Sequence, residues 1–101
     1  MNFEEFRTKL ESELGKHEQF ELQEFNYLPY SYGSGILGYR IKGICFKLTY
    51  DGRDDELILV VSQPHKKYSS TEWSELLTFN GLDNKISEIV EQITQDEDNR
   101  A

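Results

Sequence analysis

The chain has 101 residues, a formal net charge of -8 at pH 7 and one cysteine. This length predicts one domain, and a single cysteine excludes an intrachain disulfide, so a reducing cytoplasm is the expected location. The negative charge opposes direct binding of nucleic acid or of an anionic membrane. No apolar run approaches the ~20 residues that a membrane-spanning helix needs. The charge therefore favours a protein partner with a basic surface.

The charges are unevenly distributed along the chain. Residues 1–38 carry seven acids and three bases, residues 39–67 carry four acids and six bases, and residues 68–101 carry eight acids and two bases. The acids thus fall mainly on segments predicted to be helical, and the bases fall on a middle region predicted to be rich in strands.

The first third of the chain predicts a helix followed by a strand. A helix is predicted over about 3–15, with Asn2 as its N-cap and Gly15 as its stop, because apolar residues recur at steps of three and four. They are Phe3, Phe6, Leu10 and Leu14. Aromatic and polar residues are mixed over 20–28, which predicts an edge strand ending before Pro29. The tyrosine- and glycine-rich segment 30–35 predicts a loop.

The middle of the chain predicts a hairpin. The apolar positions of 37–50 change from odd to even numbers across Lys42 and Gly43. Two strands joined by a two-residue turn there keep every apolar side chain on one face. The expected facing pairs are Ile41 with Ile44, Tyr39 with Phe46, and Leu37 with Leu48. A polar turn over 51–55 precedes another predicted strand over 56–62, which completes a four-stranded antiparallel meander.

The remainder predicts two helices. Ser69 and Glu72 fit a capping box, and a short helix containing Trp73, Leu76 and Leu77 is expected to end near 80–81. A second helix is predicted from the apolar stripe formed by Leu82, Ile86, Ile89, Val90 and Ile93. The expected fold is α+β: an N-terminal helix, a four-stranded antiparallel meander and two C-terminal helices packed on one sheet face. Residues 1–94 would form the domain, and 95–101 an acidic disordered tail.

The motifs do not specify a reaction. Residues 33–38 match G-x-G-x-x-G, but they lead into a strand and not into a helix, so a glycine-rich turn is preferred over a nucleotide site. The acids of 51–56 lack the length and the glycine of an EF-hand loop, so a solvated turn is preferred over a calcium site. No cofactor and no metal is predicted.

The candidate nucleophile and bases are dispersed. Cys45 is expected on the sheet face opposite Ile44, beside Arg40 and without a neighbouring base, which favours a small half-buried thiol over a nucleophile. His17 and His65 fall in turn-like segments. No catalytic residue is therefore predicted, although a small hydrolytic activity remains a minor alternative.

The order of helix, strands and helix resembles that of double-stranded RNA-binding domains. The resemblance is one of topology, because the lysines with which that module grips phosphates are replaced here by the run Glu72-Trp73-Ser74-Glu75. RNA binding is accordingly a minor alternative as well.

Two hypotheses based on protein contacts remain. The first is a non-enzymatic acidic module that binds a basic protein; its sharper form is an inhibitor that imitates nucleic-acid charge, as antirestriction and anti-CRISPR proteins do. Its expected contact residues are Asp54, Asp55, Glu56, Glu88 and Glu91, although ordinary solvated helix faces are equally acidic. The second is an interaction or homodimeric protein that uses an open sheet face and the tyrosine loop, with Tyr30 and Tyr32 as hot spots.

Overall fold

An antiparallel sheet with helices on one face makes up the described part of the chain. The computed structural model describes the backbone of residues 1–64, 67–70 and 72–100 and the side chains of 1–64, 67–69 and 72–95. These residues form two helices, five strands and one 3-10 turn. In chain order they are α1 Phe3–Leu14, β1 Glu21–Leu28, β2 Ser34–Ile41, β3 Ile44–Asp51, β4 Glu56–Ser62, the 3-10 turn Tyr68–Ser70, β5 Trp73–Asn80 and α2 Ile86–Arg100.

Helix α1 has the caps that the sequence predicts. The Asn2 side chain accepts a hydrogen bond from the Glu5 backbone N–H at 2.8 Å, which satisfies one of the free amides of the first turn. Gly15 is the C-cap, and its own N–H donates to the Glu11 carbonyl at 2.9 Å. The four apolar side chains of the predicted stripe are fully buried, namely Phe3, Phe6, Leu10 and Leu14.

The predicted hairpin is also confirmed. Strands β2 and β3 pair antiparallel with Ile41 opposite Ile44, Tyr39 opposite Phe46 and Leu37 opposite Leu48. Lys42 and Gly43 have φ values of 50° and 79°, the left-handed geometry of a type I′ turn, whose twist matches that of the strands. The sheet order is β1-β2-β3-β4-β5, so that β1 lies at an edge as expected.

The segment predicted as a short helix is instead β5, and this prediction is wrong. Residues 73–80 pair antiparallel with β4, which gives five strands and one C-terminal helix among the described residues. The pairing shifts register between Leu59 and Val60, and Leu76 and Leu77 are both partly buried. The register shift breaks the alternation of a regular strand, so the apolar spacing imitates that of a helix. Residues 73–80 form a strand because pairing with β4 outweighs their local conformational propensity, which is a weak preference.

Both helices cover one face of the sheet. The predicted stripe of α2 supplies Ile89, Val90 and Ile93 to the core, whereas Leu82 is buried ahead of the helix. The Met1 amino group lies 3.5 Å from an Asp83 carboxylate oxygen, near the beginning of α2. Residues at the end of α1 line the same shallow groove as residues 90–94 of α2. The two helices therefore run side by side in the same direction.

The acidic tail remains a prediction. The backbone of α2 continues to Arg100, which includes most of 95–101, while the side chains of 96–100 and all of Ala101 lie outside the described residues. Within the described part, neither helix combines the length and the hydrophobicity that crossing a membrane requires.

Candidate functional site

Three connections are joined at one end of the sheet, which we call the loop end. They are the β1–β2 loop (29–33), the β3–β4 turn (52–55) and the β5–α2 connection (81–85). The Gly52 N–H donates to the Ser34 hydroxyl at 3.0 Å, and the Gly81 N–H donates to the Asp55 backbone carbonyl at 2.6 Å. These bonds attach the first two connections to each other and the third to the second.

The β1–β2 loop presents two tyrosines to solvent. The relative exposure of Tyr30 is 101% and that of Tyr32 is 70%, and Leu28 at the end of β1 is 44% exposed. The Ser34 N–H donates to the Ser31 carbonyl at 3.0 Å, which closes a tight turn over Tyr32 and Gly33. Large apolar side chains are thus exposed at the end of β1 and on the loop that follows it.

The β3–β4 turn, which contacts this loop through Gly52, carries acidic side chains. Asp54 and Asp55 are exposed, as predicted, and the Tyr50 hydroxyl donates a hydrogen bond to the Asp55 carboxylate. Desolvation of Tyr50 and then its bond to Asp55 raise the pKa of the Tyr50 phenol to about 12. Glu56 is half-buried on β4, opposite Asp51 and Asn80.

The structure divides the predicted contact residues into two groups. The loop end brings together Tyr30, Tyr32, Asp54 and Asp55, with Glu56 at its margin. Glu88 and Glu91 are exposed on α2 instead. Glu91 lines the groove between the helices together with Glu13 and His17 of the α1 end.

The opposite end of the sheet, which we call the hairpin end, contains a cleft of about 770 Å³. Residues 15–21 and the β2–β3 hairpin line it. Its bases are Lys16, His17, Arg40 and Lys42, and its acids are Glu18 and Glu21. The Lys42 ammonium lies 3.6 Å from a Glu18 carboxylate oxygen. Apart from His17, three bases and two acids line the cleft, and Lys42 is paired with Glu18, so little net positive charge is left to attract an anion.

The sheet face without helices is partly covered by the β4–β5 connection. The Tyr68 hydroxyl donates to the Glu24 carboxylate at 2.6 Å, and its ring meets the Trp73 ring edge-on with centroids 5.2 Å apart. The Lys47 ammonium lies 4.5 Å from the Trp73 ring centre. A Cβ added at Gly38 would lie 2.2 Å from the Tyr68 hydroxyl oxygen, so the ring needs a glycine beneath it. The feature of the sequence that could have indicated this close approach is a glycine inside a predicted strand.

Cys45 is more buried than the predicted half-buried thiol. It faces Arg40 in the register as predicted, but its relative exposure is 0%, and its N–H donates to the Ser62 hydroxyl at 2.9 Å. His65 lies outside the described residues. His17 is exposed, with its Nε2 3.8 Å from a Glu13 carboxylate oxygen. Within the described ranges, no group of three or more His, Cys, Asp or Glu residues is placed to hold a metal ion.

Substituting Gly38 with alanine tests the cover formed by Tyr68. The new methyl group would displace the Tyr68 ring, because ring carbons would lie only 2.6 Å from it. We expect the bond to Glu24 to be lost and the free energy of unfolding to fall by about 1–2 kcal/mol. Cys45 lies close enough to contribute to the raised pKa of the Tyr68 phenol, so we also expect it to react faster with a thiol reagent.

The reaction rate of Cys45 is measured with the folded protein below its unfolding transition. Tyr68→Phe is the matched control, since it removes the hydrogen bond and keeps the ring. An unchanged thiol reaction rate in Gly38→Ala would contradict the covering role of Tyr68.

Comparisons with protein-family models, with curated proteins and with solved structures gave no match for this chain.

Proposed function

We propose that this protein is a non-enzymatic module that binds a basic protein through its loop end. The observation that carries the proposal is the placement of Tyr30 and Tyr32, both largely exposed, on a loop bonded to the acidic β3–β4 turn. Tyrosine is enriched among residues that dominate binding energy, since its ring gives a large contact area with few rotatable bonds.

The charge of the loop end supports a basic partner. The β3–β4 segment 51–56 has four acids and one base. Carboxylates beside aromatic rings attract cationic side chains by Coulomb forces and by the ring quadrupole. The sharper form of the proposal is an inhibitor that occupies the nucleic-acid site of a basic protein, because such a site has the complementary charge.

The acidic surface formed by helices α1 and α2, which we call the helix layer, is a second candidate binding surface. Helices α1 and α2 lie side by side, and Glu13 and Glu91 line one groove between them. Glu88 is exposed in the first turn of α2. A row of carboxylates on parallel helices would attract the same basic partner. The loop end is preferred because its exposed rings add contact area that desolvates on binding.

The test is affinity capture of partners from the host lysate at low and at raised salt, with identification by mass spectrometry. The captured partner is then titrated against the wild type and two double variants. Tyr30→Ala with Tyr32→Ala should weaken binding by about 100-fold, which corresponds to the ~2–3 kcal/mol expected of hot-spot residues. Glu88→Lys with Glu91→Lys is the matched surface control and should weaken binding only by the few-fold typical of long-range charge effects.

The outcomes separate the surfaces. Loss of binding in the helix variant alone would assign the function to the helix layer. Binding that is indifferent to salt would contradict a basic partner. Recovery of this chain alone would also contradict a basic partner, and it would favour self-association.

A further inference from the structure

Tyr32 has a backbone conformation that bulky side chains disfavour. Its φ is 59°, and the following Gly33 has φ 73°, so both central residues of the turn lie in the left-handed region. The first central position of a type I′ turn is usually Asn, Asp or Gly, because a larger side chain crowds its own backbone there. A tyrosine at this position destabilises the turn, and such strain is common at functional sites.

The Tyr32 side chain does not compensate for this strain within the described part of the fold. It forms no ring pair, ion pair or hydrogen bond there, and it is 70% exposed. Four other tyrosines all have structural contacts. Tyr39, Tyr50 and Tyr68 donate to Glu11, Asp55 and Glu24, and Tyr27 packs against Phe3. Tyr32 and Tyr30 therefore differ from the tyrosines that support the fold.

The backbone of Tyr32 contacts the β3–β4 segment at Gly52. A Cβ at Gly52 would lie 1.8 Å from the Tyr32 carbonyl oxygen, which means that the two backbones touch. Gly52 is followed by Arg53, Asp54 and Asp55, and the Asp51 carboxylate accepts the Arg53 N–H at 3.0 Å. The charges of 51–55 are three acids and one base, so the segment that touches the Tyr32 backbone has a net charge of -2.

We propose that Tyr32, together with Tyr30, contacts arginine side chains of the partner, and that the loop end discriminates arginine from lysine. This inference rests on the function proposed above. A guanidinium is planar and weakly hydrated, so it stacks on a tyrosine ring while its N–H groups donate to neighbouring carboxylates. A lysine ammonium is a compact, strongly hydrated charge that gains less from the ring. Carboxylates also favour arginine, because a guanidinium pairs with them in bidentate geometry. The ring adds to this preference, and its share is the part that removal of the Tyr32 ring takes away.

The test uses the full chain and capped hexa-arginine and hexa-lysine peptides, which carry equal charge. Affinities are measured by calorimetry, and the contacted residues are identified from amide shifts in NMR spectra. The wild type is expected to bind hexa-arginine at least about tenfold more tightly than hexa-lysine, with the largest shifts at 30–34 and 51–55. Tyr32→Asn keeps the net charge and suits the left-handed turn. It should reduce the preference, and it should raise the midpoint of thermal unfolding by about 4 °C.

Two further variants act as controls. Tyr32→Phe keeps the ring and should retain the preference for hexa-arginine. Lys42→Asn changes the equivalent position of the β2–β3 turn, where φ is 50°, and should leave the preference unchanged.

Equal affinity of the wild type for the two peptides would overturn the inference, as would an unchanged preference in Tyr32→Asn. A lower unfolding midpoint in Tyr32→Asn would overturn the argument from strain. These failures are distinguishable from failure of the proposed function, because capture of a basic protein that depends on Tyr30 and Tyr32 would still stand without arginine selectivity.

Discussion

Replacing Phe3 with alanine is expected to lower the free energy of unfolding by about 3–5 kcal/mol, the usual cost of removing a buried phenylalanine. The Phe3 side chain is fully buried. Its ring stacks on four other aromatic rings, with centroid distances from 5.8 to 6.4 Å. These rings belong to Phe6, Phe25, Tyr27 and Tyr50. The variant would leave a cavity between α1 and β1–β3 that these large side chains cannot easily fill. Urea unfolding followed by circular dichroism measures the change.

A double-variant cycle makes this prediction specific to one contact. A Cβ at Gly35 would lie 2.3 Å from the Phe3 ring, so Gly35→Ala should itself destabilise the wild type. In the Phe3→Ala background the same methyl group would partly fill the cavity. The double variant should therefore be more stable than the sum of the single changes predicts. Gly15→Ala, whose Cβ would contact the Glu11 carbonyl at 3.1 Å, is the control and should add without coupling. If the changes in unfolding free energy of Phe3→Ala and Gly35→Ala simply add in the double variant, the packing of Phe3 against Gly35 is contradicted.

Raising the pH above 10 is expected to destabilise the protein through its buried tyrosines. Desolvation and the hydrogen bond to Glu11 raise the pKa of Tyr39 far above its usual value, and desolvation and the bond to Glu24 do the same for Tyr68. The folded state therefore keeps these protons at a pH where the unfolded chain loses them. The resulting stability is fully present below pH ~10 and is lost progressively as the pH rises towards the folded pKa values.

The size of the pH effect follows from the number of retained protons. Tyr39, which is fully buried, should contribute a fall of about 1.4 kcal/mol in the free energy of unfolding for each pH unit above ~10. In Tyr39→Phe one fewer proton is released on unfolding, so the free energy of unfolding should fall less steeply with pH. At neutral pH the variant should have a free energy of unfolding about 1 kcal/mol lower than the wild type. Urea unfolding between pH 8 and 11 measures both changes. Tyr30→Phe is the exposed control, and an equal slope in the two variants would refute the assignment to Tyr39.

The candidate site could be predicted only in part. The tyrosines and acids of the loop end were identifiable, because turn residues and charges favour exposure. The attachment of their two loops to each other was not, since the bond between Gly52 and Ser34 joins residues that are 18 positions apart. The cover that Tyr68 forms over Gly38 was also missed, because it depends on Tyr68 reaching Glu24 across 44 positions. The sequence pattern carries no information about contacts between residues that are so far apart in the chain.

The sequence by itself determined α1 with its caps, the β2–β3 register and strand β4, because these depend on local periodicity and turn chemistry. Only the tertiary structure decided that 73–80 is a strand, that Cys45 is buried and that the tyrosine loop adjoins the acidic turn. Each of these features is set by a partner that is distant in the chain. Pairing with β4 outweighs the helix-like spacing. The contacts of Cys45 with Ser62 and of Tyr32 with Gly52 cannot be inferred from neighbouring residues.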